Sequence, residues 1–266
     1  MSTLSPQSYA AICDYFFRVS GIRLTQAKQA LVQGRLYRLA VDNGYADLDR
    51  FIQDLVRKQL PPALEVATVD RLTTNETYFY REPAHFEQLR RRIAAHPQGQ
   101  EMCVWSAASS TGEEAYSVAM VLADLMGSTP WRVMGTDLST SVVQTARQGL
   151  YSLERADNIP ETYLKRFCLR GTGPYEGYLL MDKSIRSRVE FLVANLTRDL
   201  PALPAFDVIF LRNVLIYFEP EHKADIVRRV LQRLKPDGVL YVGHAESLNG
   251  LNLPLKTMAT AVYAHA

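Results

Sequence analysis

Residues 102–117 read MCVWSAASSTGEEAYS, and this stretch decides the fold class. The run Met102–Ala107 is apolar apart from one serine and predicts a buried strand. A turn of small residues ending at Gly112 follows, and Glu113–Met126 predicts a helix. A buried strand joined to a helix by a tight turn is the repeating unit of a parallel sheet, so an α/β fold is expected.

The same alternation continues towards the C-terminus. Further buried strands are predicted at Trp131–Thr136, Val189–Ala194, Phe206–Leu211 and Val239–Gly243. One helix would begin at a Ser139 cap and run towards Leu150, and another would cover Pro220–Leu234 until LKPDG stops it. These elements predict a doubly wound parallel sheet covered on both faces, with a hairpin or edge strand over 255–264.

Residues 1–72 lack this alternation and predict a small all-helical domain. Ser5 and Pro6 offer a cap and a first-turn proline for a first helix, which Gly21 would end. Further helices are expected over Thr25–Asp42, over Leu48–Leu60 and in a short segment leading into Leu72. The inner face of the second helix is expected to hold Leu31, Leu36 and Leu39.

One interval breaks the strand–helix order within the second domain, residues 73–266. Residues 167–188 contain RGTGPYEGYLLMDKSIRSR, in which turn residues separate short apolar runs. This pattern is typical of a small antiparallel β excursion, so we expect an inserted β subdomain there.

Composition excludes several classes of protein. The formal charge of +2 is too small to indicate nucleic-acid binding. The three cysteines show no metal-ligand spacing, which favours reduced thiols and no metal site. The first ten residues do not resemble a secretory signal, and no apolar run is long enough to insert into a membrane. A soluble, cytoplasmic protein is therefore expected.

The candidate site residues follow the strands, because ligands bind beyond the carboxyl ends of a parallel sheet. Asp137 ends a strand and is placed to accept the hydroxyls of a ribose, although it could also be an acid at the start of the next helix. Asn195 follows another strand and offers an amide to an adenine edge, or is an ordinary turn residue. Glu113 and Glu114 are either first-turn acids or, in one case, a cofactor contact.

Arg212 and Asn213 leave the very apolar strand FDVIFL, where polar groups are costly to bury unless they are paired or functional. The segment Thr73–Arg81, TTNETYFYR, crowds polar groups among three aromatic residues. A plain interdomain linker would be richer in Gly, Ser or Pro, so this segment is predicted to be a structured wall of the site.

Five motifs together resemble one family, the chemotaxis receptor glutamate methyltransferases (CheR family). They are TTNETYFYRE, WSAASSTGEEAYS, GTDLS, FLRNVLIYF and LKPDGVLYVGHAESL. The resemblance spans nearly the whole chain, with Glu76 as a departure where the family commonly has an apolar residue. It implies a Rossmann-like class I methyltransferase domain that uses S-adenosylmethionine and releases S-adenosylhomocysteine.

The resemblance also implies roles for individual residues. Arg81 and Tyr217 would lie nearest the transferred methyl group, although Tyr217 could instead be a core aromatic residue. The implied cofactor contacts are Asn75, Thr77, Arg81, Glu114, Asp137, Asn195, Leu196, Arg212 and Asn213.

The implied substrate is a glutamate of the cytoplasmic helical bundle of a chemoreceptor, and the β subdomain would dock a peptide at the receptor's C-terminus by strand addition. Between Asp14 and Asp42 the chain has basic residues and no acidic ones. A solvated helix face is the ordinary explanation of such a run. We expect instead a docking surface for an acidic helix, with Lys28, Arg35 and Arg38 as its contacts.

Two other functions remain open at this stage. A signalling module of the same fold would bind S-adenosylmethionine without methylating anything. A dinucleotide oxidoreductase is disfavoured, because the loop after the first strand lacks GxGxxG.

Overall fold

Four helices form the N-terminal region of the computed structural model, which describes residues 4–266. They are α1 (Pro6–Ser20), α2 (Gln29–Asp42), α3 (Leu48–Val56) and α4 (Pro62–Leu72). The predicted limits of α1 are confirmed: the Ser5 hydroxyl accepts a hydrogen bond from the Ser8 N–H, and Gly21 ends the helix with a φ of 75°.

Three details of this region differ from prediction. A 3₁₀ turn over Gln26–Lys28 precedes α2. Helix α3 ends at Val56 and not at Leu60, since Lys58 has a φ of 56° and cannot continue the helix. Leu36 is buried as predicted, but Leu31 is 44% exposed because it faces a cleft between the two domains.

The parallel sheet is confirmed in the described residues. Its strands are β1 (Met102–Ala107), β2 (Trp131–Asp137), β6 (Val189–Val193), β7 (Phe206–Leu211), β8 (Leu234–Val242), β9 (Leu255–Ala259) and β10 (Val262–His265). The order is β6-β2-β1-β7-β8-β10-β9, and the first five strands of that order are parallel. The predicted hairpin, β9 and β10, pairs antiparallel with the edge of β8. The strand order reverses at β1, so the ends of β2, β1 and β7 meet there.

Helices cover both faces of the sheet. They are α5 (Pro83–Ala94), α6 (Glu113–Leu125), α7 (Thr140–Gln148), α8 (Glu161–Phe167), α9 (Lys183–Arg186) and α10 (Pro220–Leu231). The prediction that LKPDG forms the stop between α10 and a strand was wrong. Helix α10 ends at Leu231, and Leu234 already belongs to β8, whose first residues pair with Phe206 before a bulge.

A second, three-stranded sheet lies beside the parallel one in the described chain. Strands β4 (Cys168–Arg170) and β5 (Tyr178–Met181) come from the predicted insert, 167–188, and are antiparallel. The third strand, β3 (Leu150–Ser152), comes from before the insert and pairs with β5. Sequence patterning missed β3 because it is short and lies directly after α7.

Alternate residues of β1 face two apolar cores. Met102 and Val104 pack on one side of the sheet, whereas Cys103 and Trp105 pack on the other. The N-terminal helices have a third core of their own, which includes Phe16 and is joined to the sheet domain through partly buried side chains.

Two further observations concern the described chain. Its cysteines, Cys13, Cys103 and Cys168, are all free thiols. Between residues 4 and 266 there is no helix that is both long and apolar enough to cross a membrane.

Candidate active site

The carboxyl ends of β1, β2 and β7 open into a cleft of about 1300 Å³, counting the part open to solvent. The N-terminal helices and the segment Thr73–Arg81 form its other wall. The structure brings every predicted cofactor residue to this cleft, together with Tyr217 and Lys28. The residues from the prediction that line it are Lys28, Asn75, Thr77, Arg81, Glu114, Asp137, Asn195, Leu196, Arg212, Asn213 and Tyr217.

Asp137 lies at the end of β2 with its carboxylate buried, 8% exposed. One oxygen accepts a hydrogen bond from the Ser110 N–H at 2.8 Å, and the other accepts one from the Ser139 N–H at 3.0 Å. Burial raises the pKa of this carboxyl, because it outweighs the lowering effect of these backbone donors. Each oxygen retains a lone pair, so the group can still accept hydroxyl donors from the cleft.

The start of α7 corrects one prediction. The Ser139 side chain makes no capping hydrogen bond. The cap comes from Asp70 of α4, whose carboxylate accepts hydrogen bonds from the N–H groups of Thr140 and Ser141 at 2.9 and 3.0 Å. An acid from the helical domain therefore caps a helix of the sheet domain, which ties the two walls of the cleft together.

The two glutamates after Gly112 point in different directions. Glu113 is fully buried behind the loop and pairs with Arg155 at 2.5 Å. Burial raises the pKa of its carboxyl. Glu114 faces the cleft, and its two oxygens accept hydrogen bonds from the Ser106 hydroxyl at 2.6 Å and from Arg212 at 2.7 Å. Only Glu114 remains available as a contact of a bound molecule.

The Arg212 side chain is buried, at 1% exposed, and its guanidinium binds groups of the protein itself. Besides the ion pair with Glu114, it donates to the backbone oxygen of Arg81 at 2.8 Å and contacts His85 Nδ1 at 3.1 Å. This buried guanidinium, at the end of β7, ties together the start of α6, the start of α5 and the Arg81 segment. Its proposed contribution to cofactor binding is the positioning of Glu114 and the cleft wall.

Sequence reasoning missed a cluster beside Arg212, namely Glu82, His85 and His244. Their ligand-type atoms lie within 4.8 Å of one another, close enough for a metal ion. The Arg212 guanidinium contacts two of these residues, Glu82 and His85, so a cation already lies beside this cluster. Although burial opposes it, the hydrogen bond from Asn213 and the charge of Arg212 lower the pKa of Glu82.

His85 gives the fold a pH dependence. Burial, and then the charges of Arg212 and His244, lower its pKa from 6.5 to about 4, so the folded protein holds a neutral imidazole. Since the pKa of this histidine is higher in the unfolded chain, the unfolded chain takes up a proton at a higher pH than the folded protein does. The free energy of unfolding therefore decreases as the pH falls from 6.5 towards 4. We expect the free energy of unfolding to fall by about 2 kcal/mol between pH 7 and pH 5 from this group.

The measurement is urea denaturation at several pH values, with His85→Gln as the control. The glutamine can still accept from Arg212 but does not titrate. A variant that loses stability over this range as steeply as the wild-type protein would exclude His85 as the source.

Two predicted contact residues, Asn195 and Arg35, make hydrogen bonds within the protein, and that of Asn195 joins the two domains. The Asn195 amide donates to the Val19 backbone oxygen at 2.8 Å, and its own oxygen accepts from Thr197. The Arg35 guanidinium donates to the backbone oxygens of Leu72 and Thr73 at 3.1 and 3.0 Å. Arg35 thus stabilises the end of α4, and its place on a docking surface stays a prediction. An adenine contact by Asn195 would use its backbone or its remaining N–H and stays a prediction.

The other two predicted docking residues, Lys28 and Arg38, lie in different parts of the structure. Lys28 reaches the cleft, and its Nζ lies 5.9 Å from the centroid of the Tyr217 ring. Arg38 has a side chain that is 85% exposed, with Asp42 at 3.9 Å. A weak exposed pair of this kind leaves Arg38 available to a partner.

Arg81 and Tyr217 lie at the side of the cleft that faces Lys28. The Arg81 guanidinium donates to the Glu76 backbone oxygen at 3.1 Å and lies 5.6 Å from the Tyr78 ring centroid. Tyr217 ends a short 3₁₀ turn, Leu215–Tyr217. Burial, and then the charge of Glu76, raise the pKa of Tyr217, so its hydroxyl is protonated at neutral pH.

The groups in the cleft suit a cationic nucleoside cofactor with an amino-acid tail. Asp137 offers a carboxylate at the ribose position of a doubly wound fold, and Glu114 offers a second anion. The Tyr217 ring presents a π-face. Fold and site together define a class I methyltransferase that uses S-adenosylmethionine.

Comparison with known proteins places the chain more narrowly. Residues 75–264 match the family model "CheR methyltransferase, SAM binding domain", and residues 7–73 match "CheR methyltransferase, all-alpha domain". The chain therefore belongs to the CheR methyltransferase family.

Among its relatives is a chemotaxis protein methyltransferase of Salmonella typhimurium, 38% identical over 268 residues that cover 98% of this chain and 91% of the relative. That of Escherichia coli is 38% identical over 264 residues, with 98% and 91% coverage. Chemotaxis protein methyltransferase 2 of Pseudomonas aeruginosa is 34% identical over 267 residues, with 98% and 93% coverage.

Proposed function

We propose that this protein transfers the methyl group of S-adenosylmethionine to glutamate side chains of chemoreceptors in the cytoplasm, forming glutamate methyl esters. One observation carries the choice of acceptor. Among residues 4–266, the side chains that line the cleft include neither histidine nor cysteine. The site thus lacks the imidazole that most often serves as the general base for an alcohol or an ammonium group, whereas a glutamate is already an anion at neutral pH and needs no base.

The cations of the cleft fit an anionic acceptor. Arg81 and Lys28 both line the cleft, and neither is neutralised by a carboxylate within 4 Å among the ion pairs of the described chain. An incoming carboxylate would be drawn to this side and oriented by the planar Arg81 guanidinium. The protonated Tyr217 hydroxyl can donate a hydrogen bond that fixes the geometry beside it.

The cofactor is assigned to the opposite side of the cleft. When bound, S-adenosylmethionine supplies an electrophilic methyl group. Asp137 would hold the ribose, Glu114 would face the amino-acid tail, and Asn75 and Thr77 would close the wall over it. The rate would then come mainly from alignment and from the exclusion of water, which can contribute several orders of magnitude.

The decisive experiment incubates the protein with radiolabelled S-adenosylmethionine and receptor-containing membranes. Glutamate methyl esters release volatile methanol in base, which separates them from methylated amines. A protein that binds S-adenosylhomocysteine in calorimetry but forms no base-labile product would be a signalling module without methylation activity. Failure to bind the cofactor product at all would contradict the site assignment.

Asp137→Asn tests the cofactor side separately. The amide keeps the size of the side chain. Its NH₂ group, however, would replace an oxygen that accepts a hydrogen bond, so that a donor would face another donor. We expect the dissociation constant for S-adenosylhomocysteine to rise by about tenfold or more. Calorimetry measures this directly, and an unchanged constant would remove Asp137 from the ribose position.

The basic surface is proposed to receive the acidic receptor helices. Lys28→Glu is expected to lower receptor methylation by about tenfold at low salt, with a smaller effect at high salt because exposed charges are screened. Cofactor affinity should change little. The matched control is Arg57→Glu, a charge reversal of the same size at an exposed residue after α3. Equal losses in both variants would argue against a local docking surface.

The small β subdomain is proposed to bind a peptide at the receptor C-terminus. Its strand β4 lies at a sheet edge, and Leu169, Tyr175 and Tyr178 are 51%, 58% and 44% exposed there. An open edge beside exposed aromatic residues suits strand addition. Methylation rates of receptors with and without their C-terminal peptide test this, and equal rates would contradict it.

A further inference from the structure

Glu246 lies in the turn after β8, far along the chain from the residues that line the cleft, and it is 8% exposed. Its Oε2 accepts hydrogen bonds from the N–H groups of Asn213 and Gly243, both at 2.7 Å. Its Oε1 accepts one from the Ile216 N–H at 3.3 Å. A buried carboxylate with several backbone donors is a rigid anchor for the chain that supplies them.

The segment that Glu246 holds is residues 212–217, here called the post-β7 loop. Asn213, Ile216 and Tyr217 of this loop line the cleft. Asn213 has a φ of 56°, a left-handed conformation that persists only where the surroundings enforce it. Within the loop, the N–H groups that bind Glu246 belong to Asn213, before the 3₁₀ turn, and to Ile216, directly before Tyr217.

Glu82 also holds this loop. Its Oε1 accepts from the Asn213 side-chain amide and from the His244 N–H, each at 3.2 Å. Glu82 directly follows Arg81 and has a φ of 57° itself. The backbone and the side chain of Asn213 are therefore held by two different carboxylates, and the loop that carries Tyr217 is linked to the residue that follows Arg81.

Gly243 shows how closely the two turns approach. A Cβ atom at this position would lie 2.5 Å from the Asn213 Nδ2 and 2.9 Å from the Glu246 Oε2. Any side chain there would displace the loop or its anchor. The close fit indicates that the turn after β8 acts as a support for the post-β7 loop.

We propose that Glu246 is a positioning residue for methyl transfer, because its carboxylate sets the post-β7 loop and thereby the place of Tyr217 in the cleft. This inference rests on the proposed function. Glu246 acts through the backbone of the loop, and its oxygens are turned towards N–H donors and not towards the cleft. It therefore differs from a residue that touches the acceptor.

The test uses Glu246→Gln in the full chain. The glutamine has the same size, but its amide nitrogen would face a backbone donor, so at least one anchoring hydrogen bond is lost. We expect faster amide hydrogen exchange at Asn213 and Ile216, and a rate constant for methyl transfer that is lower by about tenfold. The affinity for S-adenosylhomocysteine should fall less than this rate constant. The control is Glu221→Gln, at an exposed residue in the first turn of α10, which should change none of the three.

A double-mutant cycle with Tyr217→Phe separates positioning from a general loss of structure. If Glu246 acts through the loop, Glu246→Gln should cost little further activity once the Tyr217 hydroxyl is gone. Independent, multiplying losses would overturn the proposal. Gly243→Ala, which keeps the carboxylate but crowds it, should reproduce the changes in exchange and rate if Glu246→Gln folds poorly. Wild-type exchange rates in both variants would also overturn it.

The readouts keep this inference apart from the proposed function. If the wild-type protein forms no methyl ester on receptors, the proposed function fails. Hydrogen exchange at Asn213 and Ile216 does not depend on methylation, so unchanged exchange in Glu246→Gln would remove the loop-positioning role by itself.

Discussion

Replacing Arg81 with alanine is expected to lower the rate constant for methyl transfer by about 10²–10³-fold. Arg81 lines the cleft, and among the described residues its guanidinium makes one hydrogen bond, to the Glu76 backbone oxygen, and lies near the Tyr78 ring. Little of the fold depends on these contacts. The loss should therefore fall on the acceptor carboxylate, which would have no oriented cation beside it.

Initial rates of base-labile ester formation measure this effect, with circular dichroism as the check on folding. Arg81→Lys keeps the charge but loses the planar fork of donors, so an intermediate rate is expected. Arg57→Ala removes an exposed arginine outside the cleft and should leave the rate unchanged. A near-normal rate in Arg81→Ala would show that acceptor orientation comes from elsewhere, with Lys28 as the next candidate.

The largest effect on stability is expected from Arg212→Met. This change leaves Glu114 buried without its charged partner, and it removes the donors to Arg81 and His85. Breaking a buried ion pair in this way costs about 3–5 kcal/mol. In a chain of this size the unfolding midpoint should fall by roughly 10 °C or more.

Thermal and urea unfolding test the prediction, and two variants serve as controls. Arg228→Met breaks an exposed pair with Asp225 of 2.8 Å and should cost no more than about 1 kcal/mol. The double variant Arg212→Met, Glu114→Gln should be less destabilised than the sum of the single changes, since no carboxylate is left unpaired. Equal effects at Arg212 and Arg228 would contradict the structural role of the buried pair.

The parallel sheet was predictable from residue pattern because its central strands, β1 and β7, are buried on both faces. Phe206–Leu211 is fully buried and reads as an apolar run with a single acid, Asp207, near its start. Such runs can be recognised without knowledge of their neighbours. The limits of α1 were equally local, since Ser5, Pro6 and Gly21 act on the residues beside them.

Elements that depend on distant partners were not predictable in the same way. LKPDG resembles a turn in isolation, yet Leu234 is drawn into β8 by pairing with Phe206. The Ser139 cap was a reasonable expectation from local chemistry, but Asp70 from another domain takes its place. In both cases a partner remote in sequence offers a better hydrogen-bonding arrangement than the local one.

The candidate site shows the same division. The position at a strand end indicated Asp137, and the motif resemblance indicated Arg81 and Tyr217 as residues near the methyl group; the structure gathers all three at one cleft. Resemblance did not distinguish Arg35, which holds the end of α4, from Lys28, which faces the cleft. Both are basic residues in one run without acids, and only their positions in space separate them.

By itself, the sequence determined the α/β class, the helical N-terminal region and the family, because these are encoded in local periodicity and in contiguous motifs. Only the tertiary structure decided which charged side chains remain available to a ligand and which form ion pairs or hydrogen bonds within the protein. Glu82 and Glu246 are ordinary charged residues in the sequence, and Arg212 is notable there only because it follows an apolar strand. Folding buries Arg212 and Glu246 and partly buries Glu82, each against partners far along the chain. A buried charge without a partner is costly. Each of these residues is therefore held at one position by the groups that bind it, and these positions shape the cleft.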